Sequence, residues 1–403
     1  MFHIVFNVND NYVKYLSMLC CSIIENAALN AHDFSTTHNF SPVGGGGGEA
    51  SITDNHIESN PSNLSIHINE TSHHANKQAP KTNQTPFCFH ILTDGISQDT
   101  KEKLKDFERE LNKTYPCQFR IYTLLDSDFQ GLPKLNGNYL AYFRLKMASH
   151  LPQEITTCLY LDVDMLCVSD IRGIFDIDLG YKVCAVVLDV PYCPIRAMPS
   201  RYGGNNYILN PSTYFNSGFM LVNLTQWRKE NVEQKCLEWL SEYTPQLFDQ
   251  DALNAVLSDK IHILPLEWNF LAVYFSNNSL KDFKGESDMY KIIYTHKEYI
   301  KAQDNLKILH YSGVAKPWEL SYGDLVITTN NPYYNKWWEI ALNTPIFYRQ
   351  IHGQGIFTRL QKQEQMIAQL TEKVYYLRKP HKRIFRTIKR LVKRLKRKSV
   401  KLT

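Results

Sequence analysis

The chain has 403 residues, 43% of them apolar and 21% charged, a balance that supports a substantial buried core and excludes a fibrous or wholly disordered protein. Its net charge of +5 is unevenly spread: 13 of the 45 Lys and Arg, and none of the 40 Asp and Glu, lie in Arg378 to Thr403, leaving 32 basic against 40 acidic residues elsewhere. A mildly acidic body with a strongly basic end predicts a tail that seeks polyanions, either phosphate-bearing lipid or nucleic acid.

In chain order, HIVFNVNDNYVKYLSMLCCSIIENA reads as a buried strand, a polar turn and an amphipathic helix. The chain enters this strand at once, with no visible secretory signal, and the apolar run Val13 to Ile24 is too short to span a bilayer and carries Lys14. Nothing else in the chain reads as a transmembrane helix. Residues Ala31 to Pro86 are rich in Ser, Asn, Thr and His, include the run Gly44 to Gly48, and offer only Phe34 and Phe40 as aromatics. Such a segment buries too little apolar surface to offset its ordering entropy and reads as a disordered insertion.

Order resumes at the strand PFCFHILTDGIS, followed by a helical pattern from Thr100 to Tyr115. Strand QFRIYTLL, helix YLAYFRLKMASHL and strand TCLYLDVDMLCV come next, then strands KVCAVVLDV and GFMLVNL and helix TQWRKENVEQKCLEWLSEY. Strands alternating with helices predict an α/β fold with a mainly parallel, mixed sheet flanked by helices, in which ligands sit at the carboxyl ends of the strands. Beyond Pro345, Ile356, Leu360, Gln363, Ile367, Leu370, Val374 and Leu377 form a short heptad seam, suited to a helix packed on the body or to weak self-association. Past Pro380, Ile384, Phe385, Ile388, Leu391, Val392 and Leu395 share one helical face and basic residues cover the other, the pattern of an interfacial membrane helix. The expected organisation is a catalytic body of residues 1–30 and 87–345, an insertion at 31–86, a helical linker at 346–379 and a basic tail at 380–403. The nine cysteines are scattered, never in a CxxC pair, and mostly sit in apolar runs, the usage of reduced buried thiols in a cytosolic protein.

The strongest chemical signal is LYLDVDMLCVSDI, where an apolar strand delivers Asp162 and Asp164 to one side of the strand. Two close carboxylates repel unless a cation joins them, and hard oxygen ligands suit Mn²⁺ or Mg²⁺, which in turn suit a diphosphate. A bare DxD in a surface loop is the plain alternative; the buried strand before it shifts the balance toward metal. In HYSGVAKPW, His310 offers a nitrogen ligand, Gly313 allows close backbone approach and Lys316 offers a cation to phosphate, although for His310 alone a packed core histidine reads as well. YFNSGFMLVNL places Asn216 and Ser217 just before an apolar strand. LFDQDALNAVL puts Asp249, Gln250 and Asp251 at a helix start, where acids commonly cap.

Taken together and in this order, these four motifs resemble the family-eight glycosyltransferases, most of all the bacterial lipooligosaccharide and lipopolysaccharide α-galactosyltransferases, from Phe2 to about Trp338. The resemblance implies a nucleotide-sugar-binding fold, a UDP-sugar donor carrying galactose or glucose, Mn²⁺ (or Mg²⁺), and transfer with retention to a saccharide acceptor such as a lipid-linked core. It also implies a cytoplasmic enzyme held at the inner face of the membrane by its basic tail. By the same resemblance Asp162, Asp164 and His310 are the metal ligands, and the DxD with its central Val163 meets the donor. Asn7, Asn9, Asn11 and Tyr12 hold uracil and ribose, Arg144 lies beside the donor, and Gly313 and Lys316 close over the diphosphate. Asn216, Asp249 and Gln250 surround the transferred sugar, and Asp189 lies near the acceptor. The family usually carries an acid where this chain has Asn9. Two rival readings are a nucleic-acid-binding protein, against which the acidic body argues, and an inactive sugar-binding module, against which the intact DxD, His310 and Lys316 argue.

Overall fold

The computed structural model describes residues 1–29, 84–135, 137–189, 196–275, 294–319, 331–353, 364 and 367–373. The expected insertion apart from residues 84–86, the basic tail and most of the heptad seam lie outside the described residues. The strands are β1 Phe2–Asn7, β2 Phe87–Thr93, β3 Cys117–Thr123, β4 Thr157–Leu161, β5 Met165–Cys167, β6 Cys184–Leu188, β7 Arg196–Met198, β8 Tyr207–Leu209, β9 Phe215–Asn223, β10 Ile261–Ile263, β11 Phe270–Leu271 and β12 Ile308–His310. The helices are α1 Val13–Leu29, α2 Gln98–Leu111, α3 Met147–His150, α4 Leu224–Lys229, α5 Val232–Glu242, α6 Phe248–Leu257, α7 His296–Asp304 and α8 Tyr333–Asn343.

Seven strands form the central sheet in the order β10, β6, β9, β4, β1, β2, β3. Every neighbouring pair is parallel except those of β9, which runs antiparallel to both β4 and β6. A small second sheet joins β11, β12 and β5, and β7 pairs with β8 in a hairpin. Period-two alternation divides the core between the two faces of the sheet. Leu159 and Leu161 of β4 face one cluster with Ile4, Phe6 and Phe89, while Cys158 and Tyr160 face the other with Val5, Met220 and Val222. Both faces are covered, which is why these strands read as continuous apolar runs. Each Leu, Ile or Phe so buried contributes about 1.5–3 kcal/mol.

The apolar run from Val13 is explained by α1, twelve of whose seventeen residues are buried against the first cluster. Helix α2 shows the usual amphipathic stripe, burying Thr100, Leu104, Phe107 and Leu111, and begins where the Ser97 side chain accepts from the Thr100 N–H. Among the described residues no helix is long and apolar enough to cross a membrane. Ile367 and Leu370 of the heptad seam are more than half exposed, so at these two positions the body does not cover it.

Four expectations need correction. The run TCLYLDVDMLCV is not one strand: it breaks after Leu161, and β4 and β5 join different sheets. Asp162 and Asp164 therefore stand in the break instead of sharing one face of a strand. Asn216 and Ser217 lie inside β9, where the antiparallel register pairs Leu161 with Phe219 and brings the start of β9 to the end of β4. The expected helix around Arg144 is a 3-10 helix, Leu140–Lys146, followed by the single α turn α3. The expected helix after β9 is split by Asn231, whose left-handed φ of 51° separates α4 from α5.

Candidate active site

The break between β4 and β5 gathers the first group of side chains. The register that pairs Met165 with His310 on β12 puts the imidazole beside the DxD, and the Tyr311 N–H donates to the Asp164 carbonyl at 2.9 Å. His310 Nε2 lies 3.2 Å from Asp164 Oδ1, and one ligand atom each from Asp162, Asp164 and His310 lie within 4.8 Å of one another. Gly218 of β9 closes this corner from the side. A Cβ there would sit 2.5 Å from His310 Cε1 and 2.7 Å from Asp162 Oδ2, so only glycine leaves the space free.

A directed chain of amides orients the imidazole. The Asp189 carboxylate can only accept, so Gln250 Nε2 donates to it, at 2.7 Å, and Gln250 Oε1 accepts from the Ser217 N–H at 3.0 Å. Asn216 Oδ1 accepts from the Gly218 N–H and from Asn269 Nδ2, each at 3.1 Å. That leaves Asn269 Oδ1 as the acceptor facing His310 Nδ1 at 3.1 Å. The Nδ1 proton is thus fixed, and a neutral ring points the lone pair of Nε2 at the Asp164 carboxylate. Two acceptors 3.2 Å apart need either a proton or a metal cation between them.

Arg144 knots the site together from the 3-10 helix. Its guanidinium pairs with Asp162 and Asp249, each at 3.0 Å, donates to the Ser217 carbonyl at 2.7 Å, and lies over the Tyr160 ring at 4.5 Å. Burial opposes its charge, but Asp162 and Asp249 outweigh burial and hold it more firmly protonated than usual. The Tyr160 hydroxyl donates to Asp162 at 2.8 Å. Burial pushes the Asp249 carboxyl up to about 6 against the pull of Arg144. Burial also raises Asp164, yet His310 and Lys316 override it and hold that carboxyl well below the usual range.

Of these groups, Arg144, Tyr160, Asp162, Asp164 and Lys316 line a pocket of about 440 Å³. Of the sequence-predicted residues, Asn7, Asn9, Tyr12, Arg144, Asp162, Val163, Asp164 and Lys316 line it. Asn7 donates to the Leu140 carbonyl, but its own buried Oδ1 has no hydrogen-bond partner. Asn9 caps the 3-10 turn Asp10–Tyr12, which presents Tyr12 at the rim, edge-on to Trp318. Asn11 and Gly313 do not line the pocket. Gly313 takes a left-handed φ of 72° in the loop between His310 and Lys316, and Trp318 anchors that loop by stacking on Tyr15 at 4.0 Å. Asn216, Asp249, Gln250, Asp189 and His310 are buried and do not line the pocket. Asp251, expected as a helix cap, accepts from the Gln246 and Leu247 N–H groups, each at 2.7 Å, and so belongs to structure.

Sequence reasoning missed Asn269, Gly218, Tyr160 and Trp318. Asn269 sits in LPLEWNF, where nothing in composition or spacing marks it. Gly218 immediately follows the noted Asn216 and Ser217, and a glycine at the head of an apolar strand is the signal that could have found it.

The fold has counterparts. The chain is 27% identical over 265 residues to general stress protein A of Bacillus subtilis, a match that covers 62% of this chain and 83% of that protein. It is 28% identical over 242 residues to a lipopolysaccharide 1,2-glucosyltransferase of Escherichia coli, covering 58% of this chain and 65% of that one, just under two thirds of its length. The galactosyltransferase LgtC, solved with donor and acceptor sugar analogues, shares the fold with a TM-score of 0.53 at 21% identity, over 84% of this chain and 95% of that one. The sequence pattern of glycosyl transferase family 8 runs through residues 3–321, from β1 past the His310 loop, and the chain belongs to that family.

Proposed function

We propose that the chain is a retaining, metal-dependent hexosyltransferase that moves galactose or glucose from a UDP-sugar to a saccharide acceptor, a lipopolysaccharide core being the leading candidate. The observation that carries this reading is the corner where Asp162, Asp164 and His310 face one another across the space that Gly218 leaves free. Two carboxylates and one neutral imidazole fit Mn²⁺, and Mg²⁺ less well. A divalent cation held there supplies neutralising charge to a diphosphate leaving group.

The chain's own residues account for the rest. The unpartnered Asn7 Oδ1 suits the imide N–H of uracil, with Asn9 and Asn11 on the ribose side and the exposed ring of Tyr12 as a stacking surface. The Lys316 ammonium, on the loop that carries Gly313, meets the diphosphate. Arg144 fixes Asp162 and Asp249 so that neither carboxylate swings toward the sugar. Asn216, Asp249 and Gln250 surround the transferred hexose, and Asp189 stands on the acceptor side. The Gln250 amide is committed at both ends, to Asp189 and to Ser217, which disfavours it as a nucleophile. Front-face attack fits better: the acceptor oxygen bonds the anomeric carbon as the bond to the phosphate oxygen breaks on the same face. That phosphate oxygen takes the acceptor's proton. The sequence of Arg378 to Thr403 supports an anionic membrane surface as partner and a cytoplasmic site of action at the inner face of the membrane. The heptads at 356–377 support weak self-association, and the acidic body argues against nucleic acid.

The test is a screen of UDP-galactose, UDP-glucose and other UDP-sugars with Mn²⁺ or with chelator, reading UDP release and the anomeric configuration of the product. Metal-dependent turnover with one hexose and a retained anomer is expected. No hydrolysis or transfer of any UDP-sugar in Mn²⁺ would leave a sugar-binding module instead.

A further inference from the structure

The described residues contain two places where three metal-ligating side chains converge, and only one of them lies at the pocket. The other is made by His3, Cys88 and His90. We propose that these three form a second metal site, for a thiophilic divalent cation such as Zn²⁺, which clamps β1 to β2.

The site follows from strand register. Strands β1 and β2 are parallel, with His3 opposite Cys88 and Val5 opposite His90, so alternation brings Cys88 and His90 to the same face of the sheet as His3. This is the amino end of the two strands. Asn7, which lines the catalytic pocket, stands four residues further along β1, about 13 Å away at the strand rise. The site is therefore separate from the catalytic corner.

Its geometry suits a metal. His3 Nδ1 and His90 Nε2 face each other at 2.9 Å, and a Cys88 Sγ completes a set of donor atoms lying within 4.8 Å of one another. The far nitrogen of His90 is engaged by the Tyr122 hydroxyl at 3.1 Å, which commits Nε2 to the shared space. Two imidazole nitrogens and one thiolate form a soft donor set, unlike the carboxylate-rich corner at the pocket, and match the preference of Zn²⁺. Three protein ligands leave one position for water. Cys88 and His90 are fully buried, and the half-buried His3 offers the way in. On binding, the proton between the rings moves to the nitrogen of its own ring that faces away from the metal, the Cys88 thiol loses its proton to solvent, and two nitrogen–metal bonds and one sulfur–metal bond form. The N-terminal ammonium and Arg120 oppose an added cation while Glu154 favours it, so affinity rests on the ligand bonds.

The experiment uses the full chain, freed of any affinity tag and of metal, with Co²⁺ as the probe. One equivalent should bring up the thiolate-to-cobalt charge-transfer absorption, and Zn²⁺ should erase it. Cys88→Ser should abolish the band, and His3→Gln, at a half-buried position, should weaken Co²⁺ binding at least tenfold. His310→Ala, which removes a ligand at the pocket, should leave the band intact. Zn²⁺ should also raise the melting temperature of the wild type but not of His3→Gln. Absence of the band with stoichiometric Co²⁺, or its persistence in Cys88→Ser, overturns the proposal. Neither readout depends on sugar transfer, so failure here is distinct from failure of the transferase reading.

Discussion

Lys316 and Asp164 are joined directly: the Lys316 ammonium donates to Asp164 Oδ2 and, at 2.6 Å, to the Tyr311 carbonyl of the same loop. The side chain thus places a positive charge against one of the three residues proposed to hold the metal, and keeps the His310 loop near the DxD. On the proposed function, the ammonium and a divalent cation would compete for one carboxylate until a diphosphate took the ammonium.

Lys316→Met should therefore bind Mn²⁺ more tightly in the absence of nucleotide, by about tenfold, ~1.4 kcal/mol, while turnover falls. Calorimetric titration of Mn²⁺ into the two proteins checks the first part and UDP release the second. Weaker Mn²⁺ binding in the variant would show that the ammonium orients Asp164 and does not compete at it.

Gly218→Ala isolates the corner without touching a ligand. The backbone there is an ordinary β-strand, so alanine is allowed, but its Cβ would stand 2.5 Å from His310 and 2.7 Å from Asp162. The two side chains must part. Overpacking of this kind costs about 1–3 kcal/mol, a loss of a few degrees in Tm, whereas Mn²⁺ affinity should fall at least tenfold. An alanine variant with wild-type affinity for Mn²⁺ would remove Gly218 from the argument.

Asn269 acts through its neighbours as a positioning residue, accepting from His310 and donating to Asn216. Asn269→Leu should lower Mn²⁺ affinity about 10- to 100-fold, the usual cost of losing a partner behind a ligating histidine. Asn269→Asp keeps an acceptor for Nδ1, so it should bind Mn²⁺ as well as the wild type yet lose kcat, because Asn216 loses its donor. If both variants lose metal affinity alike, Asn269 serves packing only.

The parts of this site that could be read from the chain are those carried by strands with a strong apolar signature. The end of β4 points to the DxD, because a polar residue after a buried strand sits where ligands bind; His310 is marked by the HYSGVAKPW motif alone, and β12 is not legible in the chain. What could not be read was the antiparallel insertion of β9 between β4 and β6, a choice of neighbour made by tertiary packing. That choice alone puts Asn216, Ser217 and Gly218 against Asp162 and lets the amide chain reach Asn269 and His310. The break between β4 and β5 was hidden for a related reason. Each half is apolar enough to read as one strand, and only pairing with two different sheets separates them.

Asp249 offers a pH test of the buried charge cluster. Burial raises its carboxyl to about 6 from an ordinary 3.8, despite Arg144 at 3.0 Å. Between these two values the folded protein keeps a proton on Asp249 that the unfolded chain has already released, so stability falls as pH rises from about 4 to about 6 and levels off above that. The full effect of a shift of this size is about 3 kcal/mol. Asp249→Asn has no proton to lose there. In metal-free protein, the wild type should therefore lose about 2 kcal/mol relative to Asp249→Asn between pH 4 and pH 6, the rest of the effect falling outside that range, with parallel curves above pH 7. Urea unfolding of both proteins across that range measures the difference directly. Parallel curves throughout would mean that Arg144 fully compensates the burial of Asp249 and keeps it ionised at pH 4.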